Sequence, residues 1–380
     1  MIFADHAATT PVRREALEAM WPYLTGAFGN PSSRHDVGEE AARALAWARA
    51  EVASVVGCRP GDVVFTSGGT EADNLAVTGL ALANPRGRHV VVSPVEHEAV
   101  LGAADALRRL HGFEIDEVEV DATGTVTPEA LARVIRPDTT LVSVQLANNE
   151  VGTVNPIADL ATVAHASGAL MHTDAVQAAG WLPLAIDDLG VDALSLAGHK
   201  VGAPKGTGAL VVRGRLPIEP VLHGGGQERG RRSGTENVAG AVAFATALRL
   251  AEGERADAAA RVGAATDRFR QLVADAVPDA VPTGHPSRRL PGTVSYVFPG
   301  TSGEAVLLEL ERRGVVVSSG SACAAGSDEP SHVLTAIGVP PEVAQTAVRF
   351  SFGGELTEAD AAAAASALAE AVSAVRAIVP

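Results

Sequence analysis

His199 and Lys200 are adjacent in the stretch SLAGHKVGAPKG, which overlaps the end of the apolar run VDALSLA. Such a run is typical of a buried strand, so the lysine lies where the strand ends. A lysine in that place is most often a solvated loop residue. The alternative is a chemical amine, because a desolvated lysine can form a Schiff base with a carbonyl group.

Further polar residues follow other strand-like runs. In VVFTSGGTEADN, Gly69 and Thr70 open a helical pattern whose free N–H groups could hold a phosphate; an ordinary tight turn is the alternative. His97 follows HVVVS, and Asp174 ends ALMHTD; each could instead be the polar cap of the next helix. Amide side chains stand in similar places, at Asn148, Asn149 and Gln177.

Apolar runs alternate along the chain with Ala-rich helical patterns, and these elements must position the polar residues. DVVFT, HVVVS, TLVSVQLA and ALMHTDA are separated by helical segments, which predicts parallel strands with crossover helices. After a Gly/Arg-rich segment, HGGGQERGRRSGT, a long helical pattern runs from about Val238 to Val277, and a smaller α+β unit follows. Ligands of open α/β sheets bind beyond the carboxyl ends of the strands, where the polar residues lie.

Composition limits the classes of function. The chain has 380 residues, 47% of them hydrophobic, and a net charge of −15, which argues against direct binding to nucleic acid. The opening MIFADHAATTP lacks a signal pattern, and no apolar segment approaches the roughly 20 residues that span a bilayer. We therefore expect a cytoplasmic protein that makes no membrane contact and binds no metal.

Two cysteines, Cys58 and Cys323, are too few for a disulfide framework. Cys323 lies among small residues in SSGSACAAGSDEPSHV, which favours an exposed loop and a reactive thiol. Cys58 has no such setting and is predicted to be inert. A phosphate cradle, an aspartate, amide donors and a lysine, all at strand ends, together suit pyridoxal 5'-phosphate.

The sequence resembles the NifS/IscS-like cysteine desulfurases, pyridoxal-phosphate enzymes of the class V aminotransferase fold, over nearly its whole length. The matching stretches are DHAATTPV, FGNPSS, VVFTSGGTEADNLA, EHEAV, ANNEVGTV, HTDAVQ, AGHKVGAPKGTGAL, HGGGQERGRRSGT, SSGSAC with EPSHVL, and VRFSFG. The resemblance implies an α/β fold of type I, with a mainly parallel sheet flanked by helices. It also implies a large cofactor-binding domain over residues 14–257 and a small α+β domain, with the cysteine loop, over 1–13 and 258–380.

The resemblance also implies roles for the residues that match. Lys200 would form the Schiff base, His97 would stack on the cofactor ring and move protons, and Cys323 would be the nucleophile that carries a persulfide. Asp174 would pair with the ring nitrogen and Gln177 with the phenolic oxygen. The phosphate would be held by Gly69, Thr70, His199 and, from a partner subunit, Thr235. The substrate carboxylate would bind Asn149 and Arg349; without the resemblance, an ion pair would be the preferred interpretation of Arg349.

The implied reaction converts L-cysteine to L-alanine and leaves the sulfur on Cys323, from where a thiol acceptor takes it. An iron-sulfur scaffold or a thiolation enzyme would serve as acceptor, and a homodimer is expected. A selenocysteine lyase, a class V aminotransferase and a non-enzymatic scaffold that binds sulfur acceptors are the alternatives. One position departs from many relatives: Ala197 stands where they have a serine whose hydroxyl contacts the phosphate.

Overall fold

The fold is described from a computed structural model that covers residues 1–84, 86–214, 216–320 and 329–378. The strands, in chain order, are β1 (Ile2–Phe3), β2 (Val63–Thr66), β3 (His89–Val92), β4 (Glu114–Glu117), β5 (Thr139–Ser143), β6 (Leu170–Asp174), β7 (Ala193–Ala197), β8 (Gly208–Val212), β9 (Val281–Thr283), β10 (Thr293–Val297), β11 (Val315–Val316) and β12 (Val348–Ser351).

The α-helices are α1 (Arg14–Thr25), α2 (Asp36–Val56), α3 (Gly69–Asn74), α4 (Leu80–Ala83), α5 (Glu98–His111), α6 (Pro128–Val134), α7 (Ile157–Ala166), α8 (Ile186–Leu189), α9 (Val238–Ala276), α10 (Gly303–Arg312), α11 (His332–Ala336), α12 (Pro341–Ala344) and α13 (Glu358–Ile378). A π-helical turn, Leu75–Gly79, joins α3 to α4, so one continuous helical segment follows strand β2. That segment begins at the glycines predicted to form the phosphate cradle.

A seven-stranded sheet in the order β2-β8-β7-β6-β5-β3-β4 forms the centre of the larger unit. Strands β7, β6, β5, β3 and β4 run parallel, and β8 runs antiparallel to both of its neighbours. The predicted mainly parallel sheet is thus confirmed. Strand β8 differs because the connection 198–207 is shorter than the dozen or so residues that a parallel crossover needs.

Both faces of this sheet are buried, as expected for strands that read as continuous apolar runs. On β3, Val91 packs into one hydrophobic cluster, while Val90 and Val92 pack into a second cluster on the opposite face. Successive side chains of a strand point to opposite faces, so one run of valines supplies both clusters. Strands β2 and β8 also contribute side chains to both clusters. Packing on both faces of the sheet therefore holds the strand ends in fixed positions.

A smaller antiparallel sheet, β12-β10-β9, covers a separate cluster in which Phe269, Phe350 and Phe352 contact one another. Helix α9 runs through both units: Phe244 belongs to the cluster beneath the large sheet and Phe269 to the cluster of the small unit. The predicted domain boundary at residue 257 falls within α9 and stays a prediction.

Candidate active site

The carboxyl ends of the parallel strands open into a cavity of about 910 Å³. Residues from strands and loops that are far apart in the chain line its wall. The sequence-predicted residues that the structure brings together there are Gly69, Thr70, His97, Asn149, Asp174, Gln177, His199, Lys200 and Arg349. This grouping supports a chemical interpretation of the strand ends over separate turns and caps.

The predicted phosphate cradle begins where β2 ends, at Gly68, Gly69 and Thr70. The first N–H groups of a helix have no partner within it and point toward anions. Strand β8 approaches the cradle so closely that a Cβ added to Gly208 would lie 2.7 Å from the carbonyl carbon of Gly68. A Cβ on Gly69 would lie 2.8 Å from Cγ2 of Val176. Glycine is therefore required here for packing.

Lys200 lies in a short 3-10 turn, Gly198–Lys200, directly after β7. Its Nζ donates to the carbonyl oxygens of Ala7 and, at 2.8 Å, of Ala8. The side chain of Gln177 donates to the Ala7 carbonyl from 2.9 Å, so the amide and the amine meet at one point. The N-terminal segment thus holds the lysine beside the predicted cofactor contacts.

His199 points to the same N-terminal segment, where its Nδ1 lies 3.1 Å from Oγ1 of Thr9. Burial lowers the pKa of His199 to about 4, and the charges of Lys200 and Lys205 add to this effect. The ring is therefore neutral at physiological pH and offers one N–H donor. Thr9 belongs to the matching stretch DHAATTPV, to which sequence reasoning assigned no site residue.

Asp174 ends strand β6 and is 7% exposed. One carboxylate oxygen accepts the N–H of Val176 at 2.8 Å. Burial raises the pKa of this carboxyl above its usual value, and that N–H and the charges of His97 and Lys200 offset only part of the rise. His97 caps helix α5 by accepting the Ala99 N–H on Nδ1 at 3.0 Å, so a neutral ring carries its proton on Nε2.

Arg349 on β12 is 2% exposed and forms an ion pair of 2.7 Å between its Nη2 and Asp5. Its Nη1 donates to the carbonyl oxygens of Asn149, at 3.0 Å, and of Gly320, at 3.1 Å. Its Nε is buried and finds no hydrogen-bond partner among the described residues. The ion pair of the alternative interpretation is thus present, and Arg349, which lines the cavity, keeps one N–H without a hydrogen-bond partner among the described residues.

The cavity residues that sequence reasoning missed include four buried polar ones, Asp73, Glu96, Gln145 and Glu150. Glu96 is fully buried and accepts the Gln145 N–H at 2.7 Å, and Glu150 accepts the Ser331 hydroxyl at 2.6 Å. Glu96 directly precedes His97 in a strand-end loop, and an acidic residue in that place was the signal that could have identified it. Three of the four are carboxylic acids, so this cavity carries more acid than the sequence motifs indicate.

Cys323 lies outside the described residues. Both flanks of its loop lie at the cavity, because Gly320, Glu329 and Ser331 are lining residues. The other cysteine, Cys58, behaves as predicted for an unreactive thiol: burial, followed by the charge of Asp62, raises its pKa to about 11. At neutral pH it stays protonated, and thiols react as thiolates.

Thr235 lies outside the main cavity. It lines a smaller cavity of about 180 Å³ beside Glu228 and Arg232. Its loop is anchored by a buried ion pair in which Arg49 binds both carboxylate oxygens of Glu228 at 2.7 Å. Glu228 also accepts the Phe65 N–H from strand β2 at 3.1 Å, which ties the loop to the strand that carries the cradle.

We expect Arg49→Met to lower the free energy of unfolding by about 3–5 kcal/mol, because it leaves the buried Glu228 carboxylate without its partner. Arg14→Met is the matched control, since the Arg14–Glu18 pair is exposed and screened by solvent and should contribute little to stability. Denaturant unfolding of both variants checks this. Equal losses would show that the Arg49–Glu228 pair does not anchor the loop.

The described residues contain neither a candidate metal-binding group nor a candidate membrane-spanning helix. Within residues 1–84, 86–214, 216–320 and 329–378, no group of three or more His, Cys, Asp or Glu side chains is placed to hold a metal ion. In the same part of the chain, no helix has the length and apolar character needed to cross a bilayer.

Comparison with known proteins places this site in a family. The sequence pattern of the aminotransferase class-V family matches residues 2–363. The cysteine desulfurase IscS of Dictyoglomus turgidum is 44% identical over 360 residues, covering 94% of this chain and 91% of that protein. A solved NifS-like protein superposes with a TM-score of 0.90 at 35% identity, covering 98% of this chain and 99% of that chain. SspA in complex with cysteine superposes with a TM-score of 0.79 at 34% identity, covering 93% and 99% respectively. The chain therefore belongs to the aminotransferase class-V family and, within it, to the cysteine desulfurases.

Proposed function

We propose that this cysteine desulfurase binds pyridoxal 5'-phosphate in the main cavity. The observation that carries the proposal is that an amine, Lys200, and a buried carboxylate, Asp174, face one cavity beside a glycine-lined helix start. The donor set fits the cofactor: N–H groups for the phosphate, a carboxylate for the ring nitrogen, and a lysine for the aldehyde. The family of the chain supports the same cofactor.

Residues around the cavity then take distinct roles. Gly69, Thr70 and His199 hold the phosphate, with Thr235 of a second subunit completing the set. Asp174 would pair with the ring nitrogen, and Gln177 would bind the phenolic oxygen. His97 would contact the ring and move protons, and its neutral form carries the proton on Nε2. When bound, the cofactor supplies an electron sink for bonds at the substrate α-carbon.

The substrate is L-cysteine, and SspA, with which this chain aligns over 93% of its length, is known in complex with cysteine. The Nε of Arg349 and the side chain of Asn149 bind the substrate carboxylate. Lys200 would hold the cofactor by its aldehyde group, and its Nζ would serve as the base that takes the substrate α-proton. The hydrogen bonds from the Nζ of Lys200 to the carbonyl oxygens of Ala7 and Ala8 keep this amine within the cavity.

Cys323 acts as the nucleophile. Its thiolate attacks the substrate sulfur, a sulfur–sulfur bond forms, and the carbon–sulfur bond breaks. The bonding electrons stay with the carbon fragment, which takes up protons and leaves as L-alanine. The outer sulfur of the persulfide then passes to a thiol of an acceptor protein, which would be an iron-sulfur scaffold or a thiolation enzyme.

The proposal includes the organisation of the protein. The chain acts as a cytoplasmic homodimer. Residues 14–257 form the cofactor-binding domain, while 1–13 and 258–380 form the small domain with the cysteine loop. The placement of Asp5 against Arg349 supports this assignment, because it joins the first segment of the chain to the small sheet.

The direct test supplies purified protein with pyridoxal 5'-phosphate, L-cysteine and a thiol reductant, and no keto acid. We expect alanine and sulfide in equal amounts, with an absorbing cofactor bound to the chain. Alanine that appears only when a keto acid is added would indicate an aminotransferase. Turnover of selenocysteine alone would indicate a lyase for that amino acid, and a colourless, inactive protein would indicate a scaffold.

Ala197→Ser tests the phosphate end of the cavity. Ala197 lines the cavity and is 1% exposed. It lies beside the predicted phosphate cradle, because a Cβ added to Gly69 would be 3.3 Å from the Cβ of Ala197. A hydroxyl here should add one hydrogen bond of about 1 kcal/mol, which corresponds to about fivefold tighter cofactor binding. Cofactor retention on dialysis measures the change, with turnover at saturating cofactor as the control. Equal or faster loss from the variant would mean that this position does not face the phosphate.

A further inference from the structure

A row of polar side chains crosses three strands of the large sheet beside Asp174. Ser143 on β5, His172 on β6 and Ser195 on β7 are all fully buried. Ser143 is paired with His172 in the sheet register, and Ser195 is paired with Asp174. His172 and Asp174 are two residues apart, so both point to the same face of the sheet. Polar groups in such a place are costly unless they are hydrogen-bonded.

The row is hydrogen-bonded from end to end. His172 Nδ1 lies 2.8 Å from Oγ of Ser143, and His172 Nε2 lies 3.0 Å from Oγ of Ser195. Helix α3 places Asp73 over the end of the row that Ser195 forms. Its Oδ1 is 3.8 Å from His172 Nε2, and its carboxyl also interacts with the Ser195 hydroxyl. Asp73 lines the cavity, so the row joins the inside of the sheet to the site.

A neutral imidazole has one N–H and one lone pair, so the hydrogen bonds of the row can run in only two directions. Burial lowers the pKa of His172 to about 3, which keeps the ring neutral. If Asp73 is ionised, it accepts from Ser195, Ser195 accepts from Nε2–H, and Ser143 donates to Nδ1. If Asp73 is protonated and its O–H faces Ser195, it donates to Ser195, Ser195 donates to Nε2, and Nδ1–H donates to Ser143. The tautomer of His172 thus reports whether Asp73 accepts from Ser195 or donates to it.

The surroundings of Asp73 favour the protonated form. Its side chain is 2% exposed, and Oδ1 has no hydrogen-bond partner among the described residues. The groups that face it are two further buried carboxyls, Asp174 and Glu96, the Ser195 hydroxyl and the neutral His172. Burial first, and then the charge of Asp174, raise the pKa of Asp73 well above its usual value, although the hydrogen bond with Ser195 acts in the opposite direction.

Burial also raises the pKa of Asp174, but its neighbours differ from those of Asp73, because the Val176 N–H, His97 and Lys200 all oppose that rise. We propose that Asp73 is a positioning residue that is protonated and donates to Ser195, leaving Asp174 as the ionised carboxylate at this end of the cavity. The link to the cofactor rests on the proposed function, whereas the direction of the hydrogen bonds does not. A second negative charge at Asp73 would favour protonation of Asp174 and so weaken its pairing with the ring nitrogen.

The test is nitrogen NMR of protein labelled with ¹⁵N-histidine, recorded with and without bound pyridoxal 5'-phosphate. The signal of His172 is assigned by its loss in His172→Gln. We expect the Nδ1–H tautomer in the wild-type protein. The Nε2–H tautomer in the wild type would show that Ser195 donates to Asp73 and would overturn the proposal.

Two variants of Asp73 separate a specific role from a structural one. Asp73→Ala removes the donor, so we expect mixed His172 tautomers and about tenfold weaker cofactor binding. Asp73→Asn places an amide N–H₂ where the acid has its O–H and should restore both the Nδ1–H tautomer and the cofactor affinity. If Asp73→Asn behaves like Asp73→Ala, the proposal is wrong. If no variant, nor the wild type, binds the cofactor, the proposed function fails while the tautomer result still stands.

Discussion

Lys200→Ala is expected to abolish the formation of alanine from L-cysteine, whereas Cys323→Ala should stop turnover at a later point. Lys200 supplies both the covalent attachment of the cofactor and the general base, and a positioned base alone contributes about 10²–10⁴-fold to the rate. Cys323→Ala retains the amine and the cavity, so it should still bind cofactor and substrate and change its visible spectrum when L-cysteine is added. It should release no alanine and carry no persulfide.

The chain offers matched controls for both changes. Its two lysines are Lys200 and Lys205, and its two cysteines are Cys58 and Cys323. Lys205 is exposed in the loop after Lys200, and Cys58 is a protonated thiol at neutral pH. Lys205→Ala and Cys58→Ala should therefore keep wild-type turnover. Mass spectrometry after borohydride reduction should find the cofactor on Lys200. Alanine release by Cys323→Ala at the wild-type rate would show that another group is the nucleophile.

Mixed dimers should recover activity from two inactive variants, Thr235→Glu and Lys200→Ala. Thr235 lies outside the main cavity of its own chain, which supports a role in the site of a partner. A carboxylate at position 235 would repel the cofactor phosphate and inactivate the first variant. In a mixed dimer, one site combines Lys200 of one chain with Thr235 of the other, and that site is intact.

Refolding the two variants together in equal amounts gives about half mixed dimers by random pairing, each with one working site of two. Activity should therefore return to roughly a quarter of the wild-type value. Thr235→Ser, which keeps the hydroxyl, is the control for the substitution itself and should remain active. Mixed dimers that are confirmed by mass and show no activity would mean that Thr235 serves the site of its own chain or none.

Several features of the fold and the site could be predicted from local patterns. The apolar runs that became β3, β5, β6 and β7 have the period and composition of strands buried on both faces, and their ends are visible as changes to glycine and polar residues. The carboxyl ends of parallel strands meet at one edge of a sheet, so residues as distant as Gly69 and Lys200 were expected to lie together. The cavity contains both of them.

Other features depend on contacts between residues far apart in the chain, which no local period records. The ion pair between Asp5 and Arg349, and the contact of Lys200 with Ala7 and Ala8, require the N-terminal segment to cross the finished cavity. The direction of β8 depended on the length of its connection, and its apolar run gave no sign of it.

By itself, the sequence determined which residue types stand at the strand ends and, through its motifs, which family they match. The tertiary structure alone decided how those groups are charged and where they sit. It removed Asp73 and Glu96 from water, so their carboxyls favour the neutral form, and it placed Thr235 outside the cavity of its own chain. The physical reason is that desolvation and charge–charge interaction depend on distance in space, and both arise only when the chain has folded.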